Sequence, residues 1–105
     1  ADVQATLAAL TAGVCVDAVR AHAPAAARLA VCGGGALNGD LMRRLQAGLP
    51  QMPVVSSQAL GLPPQQVEAA AFAWLASRTV RGLTGSLASV TGASGARVLG
   101  AVYPA

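Results

Sequence analysis

The chain has 105 residues, 54% hydrophobic and only 10% charged, with a formal charge of +3 and one each of Phe, Trp and Tyr. That is more apolar than a self-sufficient domain of this length usually shows, so part of its surface is expected to meet further structure. The cations are all arginines, Arg20, Arg28, Arg43, Arg44, Arg78, Arg81 and Arg97, scattered along the chain with no stacking aromatics between them, which argues against a nucleic-acid groove.

Asp17, Arg20, Arg43, Glu68 and Arg78 interrupt the apolar runs before any reaches the length of about 18 residues that spans a bilayer. No membrane span and no secretory signal is expected. Cys15 and Cys32 make no Cys-x-x-Cys pair and lie among apolar neighbours, so buried free thiols in a reducing cytoplasm are the expectation.

In chain order, Asp2 can cap a first helix running to about His22, with Val3, Leu7, Leu10, Val14 and Ala18 on a 3.6-residue period, and Ala23-Pro24 ends it. Ala30 to Cys32 reads as a first strand. A second helix starts at Asn38 or Asp40, carries Leu41, Met42, Leu45 and Leu49, and stops near Gly48 and Pro50. The valines of Met52 to Ser56 favour a second strand. Residues 59–62 form a loop, and Pro63-Pro64 opens a long helix to about Arg81, since proline in a first turn lacks only an N–H that had no partner there. Gly82 to Gly95 is rich in Gly, Ser and Thr and reads as irregular, and Val98 to Val102 as a short closing strand. This alternation is α/β, and right-handed crossovers make the first two strands parallel neighbours. There is no internal repeat, and the Gly82 to Gly95 stretch is too short to divide the chain, so one domain over residues 1–105 is expected.

The most informative segment is the strand running into Gly33-Gly34-Gly35 and then Asn38. Three glycines between a parallel strand and a helix leave bare main chain against which a flat or anionic ligand can lie. A dinucleotide fingerprint requires glycine where Asn38 stands, and a phosphate-binding loop of the Walker type requires a lysine, which the chain lacks. The bland alternative is a tight strand-to-helix turn with close packing. Asn38 has two compatible readings, a helix N-cap contributing about 1 kcal/mol and a contact to ribose or phosphate. Glu68, the single glutamate, stands near the start of a helix that is apolar on almost every face. Such a helix is expected to be buried, so its acid must pair or face a cavity. The alternative is an exposed acid favoured by the helix dipole, worth about 0.3–1 kcal/mol.

Together, Val31-Cys32-Gly33-Gly34-Gly35 with Asn38, the unbroken run from Glu68 to Ala76 that includes Phe72 and Trp74, Ser89-Val90-Thr91-Gly92-Ala93 and Val98-Leu99-Gly100 resemble, in order and spacing, the C-terminal part of an anhydro-N-acetylmuramic acid kinase. The likeness covers nearly the whole chain. It implies a C-terminal subdomain of an actin-like ATPase, ribonuclease-H-like fold, with helices packed on a small sheet of parallel strands. It implies use of ATP with Mg²⁺ to phosphorylate 1,6-anhydro-N-acetylmuramic acid while water opens the anhydro ring, giving N-acetylmuramic acid 6-phosphate in cell-wall recycling.

By the same resemblance Gly33, Gly34, Gly35 and Asn38 contact the adenosine side of ATP, and Glu68 lies near the sugar. The catalytic aspartate and the phosphate-binding turn belong to an N-terminal domain that the chain lacks. No catalytic residue and no metal ligand is therefore expected within it, and the segment alone is not expected to be active. The implied setting is cytoplasmic, with a small amino sugar as substrate and a homodimer among the assemblies allowed. Gln65, Gln66, Ser86 and Ala88 depart from the family pattern and are not expected to be essential. The Ser89 to Ala93 loop is expected to pack at an interface rather than face solvent, and His22 to act as a charge near a helix C-terminus. The competing readings are an ATP-binding module of another actin-like ATPase without a sugar substrate, and a non-catalytic interaction segment.

Overall fold

A computed structural model describes residues 2–104. It contains α1 (Asp2–His22), β1 (Leu29–Val31), α2 (Gly39–Gly48), β2 (Val54–Ser56), α3 (Val67–Val80) and α4 (Ala88–Thr91), with short 3-10 turns at Gly34–Leu37, Ser57–Leu60 and Pro64–Gln66. The chain divides into two compact units, Ala1–Val67 and Glu68–Ala105, so the division falls at the start of α3 and not in the Gly/Ser/Thr-rich stretch.

In the first unit α1 has Asp2 in its first turn and Arg20 and His22 in its last, the charge order that complements a helix dipole. Ala12 and Val16 of α1 meet Leu45 and Leu49 of the α2 end and Met52 to form the core, with Val19, Leu29, Val31, Leu41 and Val54 packed around it. Gly48 owes its identity to this crossing as well as to its place at the end of α2. A Cβ there would lie 2.5 Å from Val16 Cγ2, and the β-branched valine has little freedom to move aside.

The end of α2 is tied down by side chains. The Arg20 guanidinium donates to Gly48 O at 2.6 Å, placing a cation on the negative end of the helix. Gln46 donates to Leu49 O (3.0 Å) and Met52 O (3.2 Å) and accepts from Val54 N (2.9 Å), joining α2 to the entry of β2.

The two strands are parallel, as expected, with Leu29, Ala30 and Val31 opposite Val54, Val55 and Ser56. The first lies one residue earlier than expected, leaving Cys32 beyond β1, and the second is shorter, because Met52 serves the core before β2 begins. Because the strands are parallel and in step, the chain leaves both at the same end, so the Cys32–Gly35 and Ser57–Leu60 segments start side by side. In α/β sheets this carboxyl end is where ligands bind.

Two expectations for α1 and the thiols are corrected. Over an 18-residue window α1 reaches a mean hydropathy of 1.3, so by length and composition it is apolar enough to cross a membrane even with Asp17 and Arg20 in the helix. Here one of its faces lies in the core. Cys15 and Cys32 are exposed: Cys15 flanks the buried Ala12 and Val16 without being covered, and Cys32 follows the last paired residue of β1.

In the second unit α3 is shorter than the helix expected to Arg81, preceded by the 3-10 turn at Pro64–Gln66. Arg78 stacks over the Trp74 ring at 5.3 Å and donates to Thr84 O at 2.8 Å, holding the turn that follows the helix. The tail returns along α3: Gly85 N donates to Arg97 O (2.9 Å), Arg97 N to Ser86 Oγ (3.0 Å), and the Thr79 hydroxyl to Leu99 O. The strand expected at Val98 to Val102 is absent from the described residues. Gly100 takes φ 89, a left-handed conformation that ends any extended run, and no strand of this unit offers a ladder partner. α4 interrupts the stretch expected to be irregular and closes at Gly92 with φ 70.

Candidate functional site

The three glycines after β1 have three different physical reasons. Gly33 has φ 68, a backbone that a side chain strains, and its N–H donates to Pro64 O at 2.9 Å. That N–H is therefore engaged by the chain itself, a role for Pro64 with no signal in the sequence. Gly35 is a packing glycine, since a Cβ there would lie 3.3 Å from Leu41 Cδ2 of α2. Gly34 has neither constraint: its φ is not positive, and a Cβ built on it meets nothing within 4 Å. Above Gly33 and Gly34 the space is open.

The glycines lead into the 3-10 turn Gly34–Leu37 before α2 begins, so the helix N-terminus stands a turn further along the chain than a direct strand-to-helix junction would put it. Asn38 is the N-cap of α2, with Oδ1 accepting from Asp40 N and Leu41 N at 3.1 Å each. The cap satisfies two of the helix's free N–H groups and leaves the side-chain amide as a donor. In the next turn Asp40 accepts from Arg44 (2.7 Å) and Arg43 (2.8 Å). The hydrogen bond from Arg44, and then the charges of both arginines, hold its carboxyl below the usual carboxylate range.

At the carboxyl end of β2 the two serines behave differently. The Ser56 hydroxyl accepts from Gln58 N at 3.2 Å and caps the following 3-10 turn. Ser57 is buried, and its hydroxyl has no hydrogen-bond partner. A pair of serines at the end of a strand was the available signal in the sequence, and it does not tell which hydroxyl caps and which turns inward.

Gly33, Gly34, Gly35 and Asn38 are thus brought together at one end of the parallel strands. Glu68 opens α3 in the second unit, in the first turn and exposed. The expectation of an acid inside a buried helix is corrected: no residue of α3 is buried, and Phe72, Trp74 and Val80 are 63%, 55% and 79% exposed. The short return of the tail cannot cover a helix that is apolar all round. The Ser89 to Ala93 segment is also exposed rather than packed within its unit, with Thr91 Oγ1 bonded to Leu87 O at 3.0 Å in a local turn. Among the described residues no three His, Cys, Asp or Glu side chains come together as a metal site would need.

A family profile described as Anhydro-N-acetylmuramic acid kinase matches residues 1–105. The chain belongs to that family. The anhydro-N-acetylmuramic acid kinase of Albidiferax ferrireducens is 64% identical over 104 residues, which are 99% of this chain and 27% of that protein. That of Variovorax paradoxus is 61% identical over 105 residues, 100% of this chain and 28% of that protein. That of Cupriavidus pinatubonensis is 60% identical over 104 residues, 99% of this chain and 28% of that protein. The chain therefore spans little more than a quarter of the length of these relatives. In this anhydro-N-acetylmuramic acid kinase segment the residues that carried the resemblance fall in both units. The glycine turn and Asn38 belong to the first, and the motifs from Glu68 onward to the second.

Proposed function

We propose that this chain is the C-terminal nucleotide-binding subdomain, within an actin-like fold, of a cytoplasmic ATP-dependent kinase that phosphorylates 1,6-anhydro-N-acetylmuramic acid. The observation that carries the nucleotide part is Gly34, a glycine with open space above it and no backbone or packing need to be one. Bare main chain at the carboxyl end of parallel strands admits the adenosine part of ATP close to the backbone, where a side chain would exclude it. Gly33 sets the shape of the turn, Gly35 seats it on α2, and Asn38 fixes the start of that helix while its amide can donate to the ribose.

Glu68, an exposed carboxylate at the head of α3, is assigned to the sugar. There it orients the substrate or the water that opens the anhydro ring. The aspartate that activates the water and the turn that cradles the phosphates are assigned to the N-terminal domain of the whole enzyme. Bound Mg²⁺ would supply neutralisation of phosphate charge during transfer, and its ligands are assigned, with that aspartate and turn, to the N-terminal domain.

The test uses the full-length protein. ATP turnover is expected to depend on added 1,6-anhydro-N-acetylmuramic acid and to yield N-acetylmuramic acid 6-phosphate; the same turnover with and without the sugar overturns the kinase reading. Gly34→Val is expected to fold normally and to weaken ATP binding by steric exclusion. Wild-type affinity in the folded variant removes the glycine turn from the site.

A further inference from the structure

We propose that Ser57 is a further contact of the nucleotide site, its hydroxyl turning to donate a hydrogen bond to a polar oxygen of the nucleotide held against the Gly33 to Gly35 turn. The inference rests on the nucleotide reading of that turn and adds a residue from the second strand to it.

Two independent observations meet at this place. The first is the open space over Gly33 and Gly34 at the carboxyl end of β1. The second is the Ser57 hydroxyl, in a residue only 7% exposed and without any partner. The register sets the two side by side, since Val31 pairs with Ser56 and the residues that follow are Cys32-Gly33 on one strand and Ser57 on the other. The loop that begins at Ser57 also returns to the glycines: Leu62 N donates to Ser57 O at 3.3 Å, and Pro64 O accepts the Gly33 N–H at 2.9 Å.

Local structure gives the Ser57 hydroxyl nothing to do. Ser56 already caps the 3-10 turn through Gln58 N, whereas other hydroxyls of the chain, those of Thr6, Thr11 and Thr91, bond to carbonyls of their own helices or N-cap positions. A buried hydroxyl with no partner is destabilising, and alanine of nearly the same shape would be better tolerated unless the oxygen gains a partner in another state. Serine has a single χ1, so Oγ changes direction by rotamer exchange while the backbone of the Ser57–Leu60 turn stays in place. A nucleotide laid over the neighbouring glycines supplies ribose hydroxyls and phosphate oxygens, which accept such a hydrogen bond.

The experiment compares the full-length wild type with Ser57→Ala, by titration calorimetry with Mg²⁺-ATP and by thermal unfolding without nucleotide. The variant is expected to unfold at the wild-type temperature or above it and to bind ATP about three- to tenfold more weakly, the size of one neutral hydrogen bond. Unfolding at a clearly lower temperature overturns the inference, because the hydroxyl then has a structural partner, protein or ordered water, in the whole fold. Unchanged ATP affinity overturns it as well. A wild type that gives no ATP signal defeats the nucleotide reading itself, an outcome distinct from failure of the Ser57 contact, in which wild-type binding persists.

Discussion

The two units have similarly apolar sequences and opposite packing. In the first, α1 and α2 cross closely enough to require glycine at position 48, and Ala12, Val16, Leu45, Leu49 and Met52 close a core between them. In the second, α3 is continuously apolar from Ala69 to Leu75 yet buries no residue, and Phe72, Trp74 and Val80 face outward. Helix formation and burial are therefore separate properties. Alanine, leucine and a proline-led first turn make α3 a helix from local preferences, but an apolar stripe on all sides needs neighbours on all sides, which a short return of the tail does not supply. An exposed apolar surface of this kind marks an interaction site, in keeping with a chain that covers 27–28% of the length of its relatives. In the function proposed above, the remainder of the enzyme covers this surface.

This contrast can be broken by mutation. Leu45→Ala removes a side chain 3% exposed from the centre of the first core and is expected to cost about 2–5 kcal/mol of unfolding free energy in the 105-residue chain, read by urea denaturation. Phe72→Ala in the same chain is expected to change it by less than about 0.5 kcal/mol, as for an ordinary surface substitution. Equal losses for the two would erase the difference between the units. Gly48→Ala tests the close crossing of α1 and α2: forcing a methyl against Val16 is expected to cost about 1–3 kcal/mol, whereas a stabilised variant would show that the helices separate freely.

Glu68→Gln sharpens the functional side of the comparison, because Glu68 is exposed and a loss of charge there leaves packing intact. Sugar-dependent turnover of the full-length enzyme is expected to fall about tenfold or more, equivalent to about 1.4 kcal/mol, with ATP affinity and stability nearly unchanged. Full activity would return Glu68 to a helix-end acid, and a loss of ATP binding would place it on the nucleotide side.

The smallest effect concerns Asp40. Its carboxyl is held below the ordinary range by Arg44 and Arg43, so the folded state binds the proton less readily than the unfolded one. The ion pair then contributes stability above the ordinary carboxylate pKa, and that contribution fades as pH falls through the lowered value. A small advantage of wild type over Asp40→Asn is expected at about pH 7 and should shrink by about pH 3. Denaturation midpoints at the two pH values check the sign, and an advantage that grows in acid would reverse it.

Much of the site and its scaffold was legible before the fold was known. Asp2 to His22 could be read as a helix with the right end charges, although the face of Val3, Leu7, Leu10 and Val14 is exposed and the opposite face, with Ala12 and Val16, is the buried one; Asn38 could be read as the start of α2 because its side chain satisfies N–H groups two and three residues on. The parallel pairing followed from the handedness of the crossover. The tail was less legible. Val98 and Val102 suggested a strand, but Gly100 turns to φ 89 and the described residues of its own unit hold no strand to pair with. The two cysteines were expected inside and lie outside, because composition reports how apolar a segment is and not whether anything rests on it.

Local sequence by itself determined α1, α2 and α3, the Asn38 cap, the glycine turn after β1 and the order of motifs that places the chain in its kinase family, because each depends on residues within a few positions of one another. Only the tertiary structure decided why each glycine is a glycine. Position 33 needs a left-handed backbone, position 35 touches Leu41, position 48 touches Val16 from a helix 32 residues earlier in the chain, and position 34 touches nothing. It also decided that Pro64 engages the Gly33 N–H and that Ser57, rather than Ser56, carries the unpartnered hydroxyl. Those facts depend on which segments meet across the two strands. Contacts between distant residues follow from the close packing of whole elements, which no short stretch of sequence specifies alone.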